Sequence, residues 1–128
     1  MEFLGIHHVA IIASDYAKSK EFYTRTLGLE VIAEEYRPER RSYKLDLAIP
    51  GGSRIELFSF PVTPPRRTRP EAAGLRHLAF AVQDVAATLD TLAARGVRTE
   101  ELRVDAFTGK RMAFFFDPDD LPLELYEM

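Results

Sequence analysis

The chain has 128 residues, a net charge of −3, and 46% hydrophobic and 29% charged residues, a balance that predicts a folded domain of ordinary size and argues against disorder. The net charge gives no electrostatic footprint for nucleic acid, and no apolar run approaches the roughly 20 residues of a membrane span. The chain contains no cysteine, which excludes disulfides, zinc–thiolate sites and thiol nucleophiles. We therefore expect a cytoplasmic protein that binds a small-molecule substrate, with neither nucleic acid nor membrane as a partner.

The first half of the chain predicts a strand, a helix and three further strands. Alternating side chains at His8–Ala13 indicate the first strand, and Asp15 suits the N-cap of a helix because its side chain accepts from free amides of the first turn. The helix is expected to run to Leu27 and stop at Gly28, since a left-handed C′ position favours glycine. The three following strand candidates are residues 29–34, 43–49 and 53–60. Residues 34–41 are predicted to form a charged loop.

The second half repeats this pattern. Residues 77–82 predict a strand, Asp84 caps a helix that runs to Arg95, and Gly96 ends it. The strand candidates that follow are residues 97–104, 111–116 and 121–126. Four prolines within residues 61–70 predict a stiff, extended connector between the halves. The predicted fold class is therefore α+β, with two βαβββ modules (4–60 and 74–128) and a linker (61–73) in a single domain, 1–128. The modules are expected to form a curved, cup-like mixed sheet with helices on its outer face.

Two histidines and two glutamates occupy matching positions in the two halves. His8 and His77 each precede the capping aspartate by seven residues, and Glu56 and Glu124 follow their histidines at nearly equal intervals. Because strand side chains alternate, each histidine shares a face with small alanines, and each glutamate points away from the aliphatic residues that flank it. A single strand histidine or glutamate is more often structural or solvated. Four ligand-type residues at repeated positions instead favour a shared site.

The composition of this predicted site points to a metal ion. Two carboxylates brought together without a cation would be costly, since proximity and desolvation both oppose their ionisation. Two nitrogens and two oxygens suit nickel, cobalt, manganese, iron or zinc and argue against calcium. We therefore predict one divalent ion per site, held by His8, Glu56, His77 and Glu124. His7 has no histidine counterpart in the second half and is predicted to face away from His8 and not to bind metal.

Several segments of the sequence resemble the vicinal oxygen chelate superfamily, which includes glyoxalase I, bleomycin-resistance proteins and extradiol dioxygenases. These segments are His8-x6-Asp15-x6-Phe22-Tyr23-x3-Leu27-Gly28, Ile55-Glu56-Leu57, Leu75-Arg76-His77-Leu78-Ala79-Phe80, and Asp117-Pro118-Asp119 before Leu123-Glu124-Leu125. The His-Glu-His-Glu set is most similar to that of small bacterial glyoxalase I-like proteins. The similarity extends over essentially the whole chain.

The resemblance implies a divalent-metal-dependent lyase or isomerase, with nickel, cobalt or zinc favoured. Its substrate would be a small 2-oxoaldehyde–thiol adduct or a related α-hydroxycarbonyl compound, converted through a metal-stabilised enediolate. Family roles assign proton transfer chiefly to Glu124, with Glu56 as the second candidate. In glyoxalase I, two polar residues contact glutathione at the positions that Ile12 and Phe60 occupy here. Ile12 and Phe60 offer no polar contact, so glutathione is not the expected thiol. The family habit also implies a homodimer, with a site that closes within one chain or across two.

Two alternative functions remain open. A metal-free, ligand-sequestering protein of the bleomycin-resistance type would not need the four ligands, and an Fe(II) extradiol-type dioxygenase needs only two histidines and one glutamate, which leaves Glu56 without a role. Six basic residues lie outside these motifs: Arg37, Arg40, Arg41, Lys44, Lys110 and Arg111. They would suit an anionic substrate, but we favour the interpretation that they are solvated charges.

Overall fold

The computed structural model describes all 128 residues and divides them into two units, Met1–Pro65 and Arg66–Met128. The first unit contains strands β1 (His8–Ala13), β2 (Glu30–Arg37), β3 (Ser42–Ala48) and β4 (Arg54–Ser59), and helix α1 (Tyr16–Glu21). The second contains strands β5 (Leu78–Val82), β6 (Arg103–Val104), β7 (Arg111–Phe116) and β8 (Pro122–Glu127), and helix α2 (Val85–Ala94). The βαβββ order predicted for each half is confirmed.

Each unit is built around a four-stranded mixed sheet. The strand order is β1-β4-β3-β2 in the first unit and β5-β8-β7-β6 in the second. In both sheets the first strand of the unit pairs in parallel with the last, and the remaining pairs are antiparallel. This topology, with few helices, confirms the predicted α+β class. None of the helices has the length and apolar character needed to span a lipid bilayer.

Strand alternation separates a core face from an open face, as the sequence predicted. On β1, Ile11 and Ala13 are buried while the alternate residues are exposed, and on β4 Ile55 and Leu57 are completely buried. The second unit buries the corresponding residue of β8, Leu123, completely. The remaining buried apolar residues are Phe22, Tyr23, Leu45 and Leu47 in the first unit, and Val85, Leu92, Ala113, Phe115, Phe116, Leu121 and Leu125 in the second.

Both helices begin at the predicted aspartate. Asp15 accepts a hydrogen bond from the Lys18 amide (3.1 Å), and Asp84 accepts one from the Ala87 amide (2.9 Å), which satisfies an amide left free in the first helical turn. The glycine that follows each helix has a left-handed backbone, with φ of 76° at Gly28 and 79° at Gly96. The predicted start and end of each helical segment are therefore confirmed to within one residue.

The first helical segment is not a uniform α-helix. After Glu21 the chain continues as a π-helix over Phe22–Thr26, in which the Leu27 amide donates to the Phe22 carbonyl at 2.9 Å. The Thr24 hydroxyl donates to the Lys20 carbonyl (2.6 Å), the group that an α-helix would offer to the Thr24 amide. Widened turns of this kind are rare within helices, and apolar periodicity alone does not distinguish them.

Three predicted segments differ from the structure. The expected strand at residues 97–104 is reduced to Arg103–Val104, preceded by one isolated bridge between Thr99 and Phe115, because the intervening residues make no continuous ladder. The loop expected at residues 34–41 was wrong at its start, since β2 continues to Arg37 and its residues 33–37 pair with β3 without interruption. The proline-rich connector is not simply extended: Thr68 donates to the Asp120 carbonyl (2.8 Å), so this part of it folds onto the second unit.

Candidate metal-binding site

The first unit brings His8 and Glu56 together. Nδ1 of His8 lies 3.4 Å from Oε2 of Glu56. His8 begins β1, and Glu56 lies on β4 opposite Ala10 in the parallel ladder. The two side chains therefore project from the same open face at diagonally adjacent positions. The glutamate side chain is 13% exposed and the histidine side chain 41%. The pair is therefore accessible from solvent at its imidazole end.

The second unit also brings His77 and Glu124 together, but through the other imidazole nitrogen. Nε2 of His77 lies 2.8 Å from Oε2 of Glu124, and Glu124 lies opposite Ala79 in the β5–β8 ladder. The side chains are 26% and 8% exposed, so this pair is more enclosed than the pair in the first unit. The repeated offset means that both units present one imidazole and one carboxylate beside a small alanine.

The geometry of each pair fits adjacent ligands of one divalent cation. Metal–nitrogen and metal–oxygen bonds of about 2.1 Å at right angles place two donor atoms about 3 Å apart, and the observed separations of 3.4 and 2.8 Å lie on either side of that value. One imidazole and one carboxylate in each pair are donors that nickel, cobalt, zinc, manganese and iron accept. The structure thus joins His8 to Glu56 and His77 to Glu124. It contains no group of three or more His, Asp or Glu side chains that could hold a metal ion, and a single ion bound by all four ligands stays a prediction.

His7 does not face away from His8, and that expectation was wrong. The Nδ1 atoms of His7 and His8 lie 3.0 Å apart, and the rings meet edge to face with centroids separated by 5.2 Å. The reason is that β1 begins only at His8, so strand alternation does not govern the residue before it. His7 is therefore a neighbour of the first pair.

An acidic residue that the sequence analysis missed lies beside Glu56. Asp46 on β3 is the direct antiparallel partner of Glu56, and Lys44 contacts both carboxylates, at 3.2 Å from Asp46 and 3.9 Å from Glu56. Asp46 stands between Leu45 and Leu47, the same aliphatic setting that drew attention to Glu56. That setting was a usable signal, but only the strand register shows that the two acids are neighbours.

The second unit has an aromatic residue where the first has an acid. Phe114 on β7 is the direct partner of Glu124, and its ring meets the His77 ring edge to face at 5.1 Å. The two pairs therefore differ in surroundings: Glu56 lies among charged groups, whereas Glu124 lies against an aromatic ring and is shielded from water.

A polar network ties helix α1 to the edge strand β2. Glu34 accepts hydrogen bonds from the Tyr16 hydroxyl and from Lys20 Nζ, the latter at 2.8 and 3.0 Å. The bond from Lys20, followed by that from Tyr16, lowers the pKa of Glu34 below its usual value. Burial, together with the nearby Glu34 carboxylate, raises the pKa of Tyr16 above its usual value. The Tyr16 ring also stacks on Tyr43 of β3 at 4.6 Å, so the network fixes the helix to the sheet.

Comparison with known proteins places this architecture in one family. The model of the Glyoxalase/Bleomycin resistance protein/Dioxygenase superfamily matches residues 5–125. The chain is 62% identical over 123 residues to the uncharacterized protein YwkD of Bacillus subtilis (strain 168), covering 96% of each chain. It is 33% identical over 130 residues to a probable lactoylglutathione lyase of Vibrio cholerae, covering 95% of this chain and 89% of that protein.

A solved structure is similar over the full length. The glyoxalase family protein from Enterococcus faecalis is 53% identical and superimposes with a TM-score of 0.91, covering 99% of this chain and 100% of that one. The match therefore includes the strands that carry both histidine–glutamate pairs. The chain belongs to the Glyoxalase/Bleomycin resistance protein/Dioxygenase superfamily.

Proposed function

We propose that this protein is a divalent-metal-dependent lyase or isomerase of the glyoxalase I type. Its substrate would be a small 2-oxoaldehyde–thiol adduct or a related α-hydroxycarbonyl compound. The observation that carries the proposal is the pair of matched histidine–glutamate contacts, at 3.4 Å in the first unit and 2.8 Å in the second. The similarity to a probable lactoylglutathione lyase over nearly the whole chain supports the choice of reaction.

The metal would be held by His8, Glu56, His77 and Glu124. Nickel, cobalt and zinc are the favoured ions, with manganese and iron as further candidates, because all five accept mixed nitrogen and oxygen donors. When bound, the cation would supply positive charge to two adjacent substrate oxygens. The alanines opposite the glutamates, Ala10 and Ala79, have small side chains that leave space beside the ligands.

Proton transfer between neighbouring substrate carbons requires a carboxylate that acts first as a base and then as an acid. Glu124 is the better candidate, because its side chain is only 8% exposed and lies beside Phe114. Shielding from water keeps the abstracted proton from exchanging with solvent before it is returned. Glu56 is the second candidate, but Lys44 and Asp46 surround it with competing charges.

The proposed assembly is a homodimer. Each unit by itself supplies one histidine–glutamate pair, so a site with four protein ligands requires both kinds of unit, from one chain or from two. Two-fold dimers are the commonest closed assemblies, and a dimer would supply ligands for two equivalent sites. The proposed environment is the cytoplasm and the proposed partner a small molecule, in keeping with the acidic, cysteine-free composition.

A metal-free binding protein and an Fe(II) dioxygenase are the competing functions within the same superfamily. A binding protein would have no use for the Glu124 carboxylate, which is 8% exposed and has only the His77 imidazole as a charge partner, since burial of a carboxylate without a full counter-charge is costly. A dioxygenase would use three of the four ligands and leave one acid idle. The presence of all four candidate ligands therefore favours the lyase or isomerase.

Elemental analysis of the purified protein and titration with nickel, cobalt, manganese and zinc test the metal site. Turnover of methylglyoxal mixed with several thiols then tests the reaction. At saturating metal, Glu124→Gln should lower kcat by at least about a hundredfold, the usual contribution of a general acid–base group. The exposed Glu101 offers a charge-matched control, and Glu101→Gln should keep wild-type kcat. Metal binding without turnover of any adduct would contradict the proposed reaction.

A further inference from the structure

A cavity in the second unit lies outside the four predicted ligands. It has a volume of about 450 Å³, which falls in the range of small-molecule sites. Five arginines and two glutamates line it, together with two phenylalanines. The excess of positive charge is unusual for a chain with a net charge of −3. None of the six basic residues weighed above as contacts for an anionic substrate lines this cavity.

Three of the arginines are held in place by a carboxylate and an aromatic ring. Arg69 pairs with Asp120 and lies over the ring of Phe116, 5.2 Å from its centroid. Arg76 pairs with Glu71, and Arg103 pairs with Glu100 at 3.0 Å. Both guanidinium groups also lie over the ring of Phe114, each 5.9 Å from its centroid. Since these arginines have carboxylate partners, the two glutamates of the cavity wall are already neutralised.

Arg66 and Arg67 supply positive charge that no carboxylate neutralises. The Arg66 guanidinium donates to the carbonyls of Leu75 (2.7 Å) and Arg76 (3.2 Å) and to the Thr68 hydroxyl (3.1 Å). These neutral acceptors orient the group without removing its charge. Arg67 is exposed and makes no ion pair. An oriented guanidinium with free charge is the arrangement that recognises carboxylate or phosphate oxygens.

The cavity adjoins the histidine of the second pair. Nη1 of Arg76 lies 3.2 Å from Nδ1 of His77, and Phe114, which forms part of the cavity wall, contacts the His77 ring. Phe114 is also the strand partner of Glu124. A molecule anchored in the cavity would therefore extend towards His77 and Glu124.

We propose that this cavity binds the carboxylate or phosphate group of a small anionic molecule, with Arg66 and Arg67 as the main contacts. The assignment to the substrate rests on the proposed lyase or isomerase function. If that function holds, the substrate carries a carboxylate or phosphate group and the cavity selects for it. This assigns substrate specificity to the proline-rich connector, because both arginines belong to it.

Calorimetric titration of the full chain with inorganic phosphate, and separately with malonate, tests the cavity directly. At least one of the two anions should bind at one site per chain without added metal. Arg66→Gln should weaken that binding about tenfold, equivalent to about 1.4 kcal/mol, and Arg67→Gln should weaken it about threefold. The matched control is Arg111→Gln, which removes the same charge from the same unit outside the cavity and should bind as the wild type does.

Binding of neither anion by the wild type, or equal affinities in all four proteins, would overturn the proposal. So would an equal loss in Arg111→Gln, since it would indicate attraction by overall charge. Should Arg66→Gln fail to fold, Arg67→Gln decides, because Arg67 makes no ion pair that folding could need. Anion binding measured without metal or turnover keeps a failure here distinct from a failure of the proposed reaction.

Discussion

Leu57 and Glu56 are neighbours on β4 whose side chains point to opposite faces, and replacing each should separate stability from metal binding. Leu57 is completely buried, and its partners in both adjacent strands, Ile11 and Leu45, are buried as well. Because the surrounding side chains have little room to collapse, Leu57→Ala should cost about 3 kcal/mol, within the usual range for such changes. For a chain of this length the loss corresponds to a fall in Tm of roughly 12 °C.

Glu56→Gln should weaken metal binding and leave the stability of the fold almost unchanged. The substitution removes ion pairs with His8 and Lys44 at 3.4 and 3.9 Å, and partly exposed pairs of this kind contribute no more than about 1 kcal/mol. Metal affinity should nevertheless fall at least tenfold, because a charged ligand is replaced by a neutral amide. Leu57→Ala, measured well below its Tm, should bind nickel within about threefold of the wild type.

Thermal unfolding followed by circular dichroism and nickel titration by calorimetry measure both quantities on the same samples. The reasoning would be refuted if Glu56→Gln lowered the Tm as far as Leu57→Ala does. It would also be refuted if folded Leu57→Ala lost metal as completely as Glu56→Gln, since the two faces of β4 would then not have separate roles.

Three further predictions concern the scaffold. Because Lys20 and Tyr16 lower the pKa of Glu34, the stability that this carboxylate contributes should be complete above the ordinary glutamate pKa and lost as the pH falls through the lowered value. Glu34→Gln should therefore lower the free energy of unfolding in urea by up to about 1 kcal/mol at pH 7 and by less at pH 3. An equal loss at both pH values would contradict the pairing. Asp84→Ala should cost about 1 kcal/mol in the same assay by removing the helix cap, whereas no loss would mean that the cap is dispensable. Gly96→Ala should cost about 1 kcal/mol or more, because φ is 79° there, and a neutral result would contradict a left-handed residue at that position.

Alternation and capping carried most of the prediction of the fold. β1 and β7 occupy the predicted residues, and Asp15 and Asp84 cap the helices as expected, because these features depend on a few adjacent side chains. Asp120, in the turn that precedes β8, has a left-handed backbone with φ of 65°.

Features that depend on distant partners were missed. Residues 97–104 have the composition of a strand, yet only a bridge at Thr99 and the two residues Arg103–Val104 pair, because pairing is decided by the neighbouring strand. The acid beside Glu56 and the aromatic ring beside Glu124 became visible only with the strand register. The arginine cavity depends on the connector's folding back, which proline content alone did not predict.

The histidine–glutamate contacts within each unit were predictable because both halves repeat the same spacing and the same alternation. Sequence spacing does not reveal how many ligands meet at one ion, since that depends on tertiary or quaternary assembly. Each unit provides one imidazole and one carboxylate within 3.4 Å of each other, and the proposed site requires the two pairs to bind a common cation.

Metal content and nickel affinity of three single-histidine variants test that requirement most directly. If both pairs bind one ion, His8→Ala and His77→Ala should each lower nickel affinity at least tenfold and abolish stoichiometric binding, while both remain folded. His7→Ala provides the matched control, because His7 adjoins the first pair without belonging to it, and it should retain one nickel per site. Retention of wild-type affinity in either His8→Ala or His77→Ala would show that the two pairs do not share a metal ion.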